Sequence, residues 1–259
     1  MAPKEENPII VAFTLDFETG DLKCQTSACT QISIHATRLD TFEKLGTYTS
    51  YIYPYNQKNI DGVGKKRKVL KSKYDEPEET PMVYSQKALE YSAISMDMLY
   101  SQGRPIEEVA NDVLQFIIDM TPKCGKNMKP FLIGQNIGFD EGFFCQMMEY
   151  AGLMGEVKKY LRGHEDFYGH WHPLCLDTIL LGQLALCHLP NVNSYKLEIM
   201  CENLGIELDD AHDADADVSA TTNVTAVLTQ RMRNTGGDFD SENTLAVSKA
   251  EKSRKHFKI

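Results

Sequence analysis

The sequence predicts an α/β domain in which a mixed sheet of about five strands is flanked by helices. Two observations lead to this prediction. Short apolar runs bounded by turn residues are typical of buried strands, and several occur along the chain. Other segments repeat apolar residues at three- and four-residue spacing, which is typical of helices that bury one face. No internal repeat is visible.

In the first half of the chain, three strands precede two helices. The predicted strands are residues 9–17, 31–38 and 48–53, with a turn at 44–46. Residues 55–81 are polar, charged and proline-containing, which indicates an inserted basic loop. Helical spacing covers residues 84–100 and 105–119, and the second helix buries one apolar face.

In the second half, short strands alternate with helices. The predicted strands are residues 131–134 and 174–176, and the second runs into an apolar helix that ends at 187. Further helices are predicted at 139–151, 194–204 and 214–232. Gly205 is expected to cap the second of these helices. The pattern breaks after residue 232, so we expect a domain at 1–232 and a flexible basic tail at 233–259.

Composition limits the classes of protein that fit. The 259 residues are 42% hydrophobic and 25% charged, as expected for one large globular domain with or without a tail. No apolar stretch approaches the roughly 20 residues that span a bilayer, so we expect no membrane and a cytoplasmic, or nuclear, location. The seven cysteines form no CxxC pair and are expected to be reduced. A net charge of −10 argues against bulk electrostatic nucleic-acid binding, although an enzyme holding a few phosphates through metal ions remains possible.

A pair of acidic residues ends the first predicted strand. Because strand side chains alternate, Asp16 and Glu18 share one face and Phe17 takes the other. Two neighbouring carboxylates repel each other, and a divalent cation between them removes that repulsion. Hard oxygen ligands suit Mg²⁺ or Mn²⁺, so the pair predicts a metal site.

Two later segments also carry acidic residues near predicted helix starts. Asp140 follows Asn136 where the fourth strand gives way to a helix, which is where active-site groups collect in open α/β sheets. Asp217 begins the last long helix, and His212 precedes it. Taken singly, each acid is also explained by a favourable interaction with the helix dipole.

Together, these segments resemble the DEDDh branch of the 3′→5′ exonucleases, the family of the proofreading subunit of bacterial replicative DNA polymerase. Residues 16–20 resemble its DxET(G) motif, residues 136–140 its Nx₃D motif, and residues 212–217 its Hx₄D motif. The resemblance covers about residues 8–230 and implies a ribonuclease-H-like fold. The sequence departs from the family at Asp21, where a second glycine is common, and at 91–95, which only loosely match its HGI-type substrate-contact segment. The 55–81 stretch is also longer than expected.

The resemblance implies a catalytic site that uses two Mg²⁺ or Mn²⁺ ions. Asp16, Glu18, Asp140 and Asp217 are then the metal ligands, with Asp16 bridging and Asp140 on the side of the leaving group. His212 acts as the general base that takes the proton of the attacking water, a role that suits an imidazole near neutral pH. We expect five further residues to contact substrate: Phe17, Thr19, Gly20, Ile94 and Asn136.

The function expected from these motifs is hydrolysis of DNA from single-stranded or frayed 3′ ends, releasing nucleoside 5′-monophosphates in proofreading or repair. An exoribonuclease or oligoribonuclease with the same mechanism is an alternative, because recognition of a 2′-hydroxyl depends on backbone geometry. A non-catalytic module that binds nucleic acid or a polymerase is another. The tail at 233–259 resembles segments through which some family members bind a polymerase or replication partner.

Two further features allow other interpretations. His164, His170, His172 and Cys175 have side chains that suit zinc, but their spacing matches no standard zinc site. The basic run at 65–68 is either a nuclear import signal or part of a loop that contacts DNA or RNA phosphates.

Overall fold

A five-stranded mixed sheet forms the centre of the fold. The structure is a computed structural model that describes residues 10–58, 79–121, 128–190, 192–208 and 213–234. The strands of the sheet are β1 (Val11–Thr19), β2 (Cys29–Arg38), β3 (Lys44–Tyr51), β4 (Phe131–Gly134) and β7 (Cys175–Asp177). They lie in the order β3-β2-β1-β4-β7, with β2 antiparallel to both neighbours and β4 parallel to β1 and β7. The predicted mixed sheet of about five strands is therefore confirmed.

Helices cover both faces of the sheet, and a small hairpin lies outside it. The helices within the described residues are α1 (Gln86–Tyr91), α2 (Met96–Gln102), α3 (Ile106–Met120), α4 (Gly138–Tyr150), α5 (Met154–Tyr160), α6 (Thr178–Leu186), α7 (Leu197–Leu204) and α8 (Ala214–Asn234). The hairpin pairs β5 (Gly163–Glu165) with β6 (Trp171–Pro173). No helix in these ranges is both long and apolar enough to cross a membrane.

Several predicted boundaries needed correction. The predicted helix at 84–100 is two helices, because Ala93 adopts a left-handed backbone conformation (φ 52°) that interrupts the hydrogen-bond ladder. The predicted turn at 44–46 is the start of β3, and the chain reverses before it, at Phe42 (φ 59°). Helix α5 and the β5–β6 hairpin were not predicted. By contrast, α7 ends as predicted at Gly205, which has a φ of 69°.

Some predicted segments are only partly described. Residues 59–78, most of the predicted basic loop, and residues 235–259, most of the predicted tail, lie outside the described residues. The flanks of the loop are described, and they are linked by hydrogen bonds from Gln57 to Thr80 and from Met82 to Tyr55.

The two faces of the sheet differ in chemistry. On one face, apolar side chains of β1 and β2 pack against α3 and α4; Phe13 meets Phe116 of α3, and Phe17 meets Phe143 of α4. The opposite face carries polar side chains and is covered by α8. A smaller apolar cluster joins α6, α7 and α8. The apolar face thus supplies most of the buried hydrocarbon, and the polar face is available for chemistry.

Replacing Phe143 tests the importance of the apolar face. Its ring is 0% exposed, so Phe143→Ala is expected to lower the free energy of unfolding by about 3–5 kcal/mol through lost burial and an unfilled cavity. The measurement is urea unfolding followed by circular dichroism. Phe167→Ala is the matched control, since that ring is 96% exposed and its loss should change stability very little. Equal losses in the two variants would contradict this account of the core.

Candidate metal centre

Three carboxylates meet where β1 ends. Asp16 and Glu18 project from β1, and Asp217 projects from the first turn of α8. One carboxylate oxygen from each of the three lies within 4.8 Å of the other two. Strand alternation places Asp16 and Glu18 on the same face, as the sequence predicts, and this is the face that α8 covers.

Asp140 lies beside these three carboxylates and is held in place by a hydrogen bond to the backbone. It stands in the first turn of α4, just after β4, and is 3% exposed. Its Oδ1 accepts a hydrogen bond of 3.0 Å from the backbone N–H of Phe17, the residue between Asp16 and Glu18. Asp140 thus links α4 to the end of β1, and it stands outside the group of three that meets within 4.8 Å.

The electrostatics of the site favour bound protons or cations. Burial, together with the charges of Asp217 and Asp213, raises the pKa of Asp16 to about 7. Burial and the charges of Asp16, Asp217 and Asp213 raise the pKa of Glu18 to about 8. Burial and the nearby Asp16 also raise the pKa of Asp140 well above its usual range, against the lowering effect of the Phe17 N–H.

A hard divalent cation fits this donor set. The ligands are carboxylate oxygens, which Mg²⁺ and Mn²⁺ prefer, and their mutual repulsion falls when a positive charge lies between them. Asp16, Glu18 and Asp217 could bind one ion directly. Asp140 is close enough to Asp16 for their charges to interact. Four acidic groups match the charge of two divalent ions, the number expected from the sequence.

The expected substrate-binding residues lie in two kinds of environment. Asn136 is exposed and has a left-handed backbone (φ 56°) at the β4–α4 junction, where its N–H donates to Asp177. Gly20 follows β1, and a Cβ there would lie 2.2 Å from the carbonyl oxygen of Val83. The side chains of Phe17 and Ile94 are both 4% exposed. They present almost no surface to a nucleotide, so substrate contacts for these two residues stay predictions.

Thr19 and His212 complete the set of expected site residues. Thr19 is the last residue of β1, and its hydroxyl donates to the carbonyl of Asp21 at 3.1 Å. His212 lies outside the described residues, so its role as general base stays a prediction. Its neighbour Asp213 is described and lies close enough to raise the pKa values of Asp16 and Glu18.

Sequence reasoning did not single out two features near the site. Tyr91 belongs to the 91–95 segment that loosely matches a substrate-contact motif; it is 65% exposed, and partial burial and the charges of Glu198, Glu18 and Asp217 raise its pKa. The other feature is a row of buried polar residues on β2, opposite the acidic end of β1. The alternation of polar and apolar residues at 31–37 predicts two faces of different chemistry, but it is typical of a strand with one exposed face, so the burial of the polar face beneath α8 is seen only in the structure.

The fold is similar to that of solved exonuclease I structures. No protein-family model matches the sequence. Escherichia coli exonuclease I in complex with a dT13 oligonucleotide superimposes with a TM-score of 0.60 at 16% identity, covering 87% of this chain and 42% of that one. The zinc ion bound form of the E. coli ExoI–ssDNA complex gives a TM-score of 0.60 at 17% identity, covering 86% of this chain and 41% of that one.

These comparisons establish the fold. The five-stranded mixed sheet with flanking helices is an RNase H-like α/β fold, as predicted. This chain spans about two fifths of the length of the exonuclease I structures that it matches.

The raised pKa values predict an unusual pH dependence of stability. Because the folded protein retains protons that the unfolded chain releases, the metal-free protein should lose stability as the pH rises from about 4 to about 8. Asp16→Asn removes one of the repelling charges. We therefore expect it to be more stable than the wild type in EDTA at about pH 8.5, by roughly 1–3 kcal/mol, and to differ much less at about pH 5.

Urea unfolding at the two pH values measures this difference. Asp97→Asn is the control, because it makes the same chemical change at an exposed position on α2. It should shift stability equally at both pH values. A metal-free Asp16→Asn protein that is less stable than the wild type at the higher pH would contradict the electrostatic account.

Proposed function

We propose that the protein is a metal-dependent 3′→5′ exonuclease of the DEDDh type, which hydrolyses DNA and releases nucleoside 5′-monophosphates. The observation that carries the proposal is the meeting of Asp16, Glu18 and Asp217 within 4.8 Å, with Asp140 hydrogen-bonded to the same strand end. The site lies on a sheet with the fold of exonuclease I. The three sequence motifs supply the acidic residues and histidine that such a mechanism requires.

In this proposal, the acidic residues would hold two Mg²⁺ or Mn²⁺ ions. Asp16, Glu18 and Asp217 would provide ligands on the side of the attacking water, and Asp140 on the side of the leaving 3′-oxygen. Divalent ions bound there would stabilise the extra negative charge on the phosphate in the transition state. His212 accepts the proton of the attacking water, and the Phe17 N–H keeps the Asp140 carboxylate directed at the end of β1.

Single-stranded or frayed DNA 3′ ends are the proposed substrate. Exonuclease I structures contain dT13 and dA16 oligonucleotides, and this chain has the same fold. Two exposed residues are proposed to contact the DNA. Tyr91, at the end of α1, has an aromatic ring on which a base can stack, and Asn136, which follows β4, has a side-chain amide that can form hydrogen bonds.

Thr19 lies next to Glu18 and is proposed to contact the terminal nucleotide. Gly20 is buried, and its N–H and carbonyl already form hydrogen bonds with Ala28 and Ser85. Its role in this proposal is therefore to shape the end of β1.

The proposal also includes a domain boundary, a binding partner for the tail and a cellular location. The domain would occupy residues 1–232, and the tail at 233–259 would bind a polymerase or other replication partner. The proposed location is cytoplasmic. A role in proofreading or repair would follow from such a partner.

Labelled oligonucleotides test the activity and its direction. A 5′-labelled single strand should give a ladder that shortens from the 3′ end with Mg²⁺ or Mn²⁺ and stays intact with EDTA. A matched RNA strand distinguishes the exoribonuclease alternative. If neither strand is shortened with either metal, the enzyme proposal fails and the non-catalytic alternative gains support.

The Asp217 carboxylate should be essential for turnover. Asp217→Asn is expected to lower kcat by about 10²-fold or more, because one metal ligand is lost while the fold is kept. Initial rates on the labelled DNA strand at saturating Mg²⁺ provide the measurement. Asp97→Asn makes the same change at an exposed position outside the site and should cleave at the wild-type rate. Activity of Asp217→Asn within about threefold of wild type would contradict the role of Asp217.

His212 should affect proton transfer and leave metal binding almost unchanged. His212→Gln is expected to lower kcat by about 10²–10⁴-fold, because a glutamine amide cannot accept the proton of the attacking water as an imidazole can. Its Mn²⁺ affinity, measured by titration, should stay close to that of the wild type. His188→Gln, at an exposed position after α6, is the control. A His212→Gln enzyme with wild-type turnover would overturn the assignment of the general base.

A further inference from the structure

Strand β2 carries buried polar side chains that face α8. Gln31, Ser33 and His35 are each at most 4% exposed. In the antiparallel register with β1, Gln31 lies opposite Glu18, Ser33 opposite Asp16, and His35 opposite Thr14. Residues directly opposite each other in a sheet share a face, so these side chains lie on the same face as the carboxylates. Buried polar groups of this kind need hydrogen-bond partners.

One carboxylate oxygen on α8 accepts hydrogen bonds from two of these side chains and from Thr49 of β3. Oδ1 of Asp215 accepts from Nε2 of His35 at 2.8 Å, from the Ser33 hydroxyl at 3.1 Å and from the Thr49 hydroxyl at 3.2 Å. Because a carboxylate oxygen only accepts, Nε2 of His35 carries the hydrogen of its bond to Asp215. The other ring nitrogen, Nδ1, has no hydrogen-bond partner among the described residues.

A second carboxylate fixes the start of the same helix. Asp213 caps α8, because its Oδ2 accepts from the N–H of Ala216 at 3.3 Å and its carbonyl accepts from the N–H of Asp217 at 3.0 Å. Its Oδ1 accepts from Nε2 of Gln31 at 3.3 Å. Both carboxylates that precede Asp217 by two and four residues are therefore held by β2.

Helix geometry connects these contacts to the metal centre. Residues two apart on an α-helix are about 200° apart around its axis, so Asp215 and Asp217 leave α8 in nearly opposite directions. Asp215 reaches β2 and β3, while Asp217 reaches the end of β1. Ala214 and Val218, at the start of α8, are both 0% exposed, and their short side chains make no directional contacts. The hydrogen bonds that Asp215 accepts are directional and charge-assisted, so they add a specific constraint on the rotation of this end of the helix.

We propose that His35, together with Ser33 and Thr49, positions α8. By donating hydrogen bonds to Asp215, these residues set the rotation of the helix, so that the Asp217 carboxylate lies beside those of Asp16 and Glu18. His35 touches neither metal nor substrate in this role. The inference rests on the proposed function only in assuming that Asp16, Glu18 and Asp217 bind a divalent cation. Hydrogen-bonded groups behind metal ligands commonly change metal affinity by about 10–100-fold.

Two substitutions at His35 separate hydrogen bonding from packing. His35→Leu fills the buried space without a donor, whereas His35→Gln restores an N–H that can reach Asp215. We expect His35→Leu to weaken Mn²⁺ binding by about 10–100-fold and to lower kcat, and His35→Gln to recover most of both. Thr37→Val is the matched control on the same strand, since the Thr37 hydroxyl is buried and has no partner among the described residues.

The measurements are Mn²⁺ titration followed by electron paramagnetic resonance and amide hydrogen exchange of the metal-free protein. Exchange at Ala216 and Asp217 should be faster in His35→Leu than in wild type, and near wild type in His35→Gln. Equal Mn²⁺ affinity and exchange in His35→Leu and wild type would overturn the proposal, as would equal losses in the Leu and Gln variants.

Further controls keep this test separate from the nuclease test. If the wild type binds Mn²⁺ but cleaves no nucleic acid, the proposed function fails and the positioning role is still decided by affinity and exchange. If the wild type binds no Mn²⁺, the positioning of a metal ligand is overturned as well. If His35→Leu does not fold, the Ser33→Ala/Thr49→Val double variant removes two of the three donors and should weaken Mn²⁺ binding; unchanged binding there would also refute the proposal.

Discussion

Four acidic side chains, three of them within 4.8 Å of one another, are brought together at the end of β1, where burial and mutual repulsion oppose their ionisation. Asp16, Glu18, Asp140 and Asp217 come from one strand and two helices. The charge of Asp217 raises the pKa values of Asp16 and Glu18, and the charges of Asp16 and Glu18 raise that of Asp140. Such a group is unfavourable for folding unless protons or cations neutralise it. Burial, which is the larger cause, and this repulsion together raise the pKa of Asp16 to about 7 and that of Glu18 to about 8.

The fold offsets the cost by dividing the sheet into two faces. The apolar face packs phenylalanine rings of β1 against α3 and α4, and its burial stabilises the domain without involving charge. The polar face then tolerates acidic groups beneath α8. Hydrogen bonds from the Phe17 backbone to Asp140 and from β2 to Asp213 and Asp215 hold the acidic elements in place. The apolar face of β1 and β2 thus stabilises the fold, and the opposite face of the same two strands carries the acidic and polar groups of the site.

The local patterns were predictable to different degrees. The alternation at Asp16 and Glu18 and the glycine that ends α7 depend on neighbouring residues only, and both appear as predicted. The break at Ala93 was missed, since alanine favours a helix and only the surroundings hold it at a positive φ. The hairpin β5–β6 was also missed, because strands of three residues are too short to show a period. The role of His212 as general base follows from the resemblance that the three motifs carry together, and it stays a prediction because His212 lies outside the described residues.

Residue types and their spacing are enough to predict the chemistry of the site: hard oxygen donors, two of them on one face of a strand, and acids at two helix starts. These properties follow from residue type and from the two-residue period of a strand. The approach of Asp217 to Asp16 and Glu18 within 4.8 Å, and the hydrogen bond between Asp140 and the backbone of Phe17, are seen only once α4 and α8 are packed on the sheet. The Phe17–Asp140 hydrogen bond joins residues 123 positions apart. Such distances are set by how helices pack on the sheet, and no local pattern encodes them.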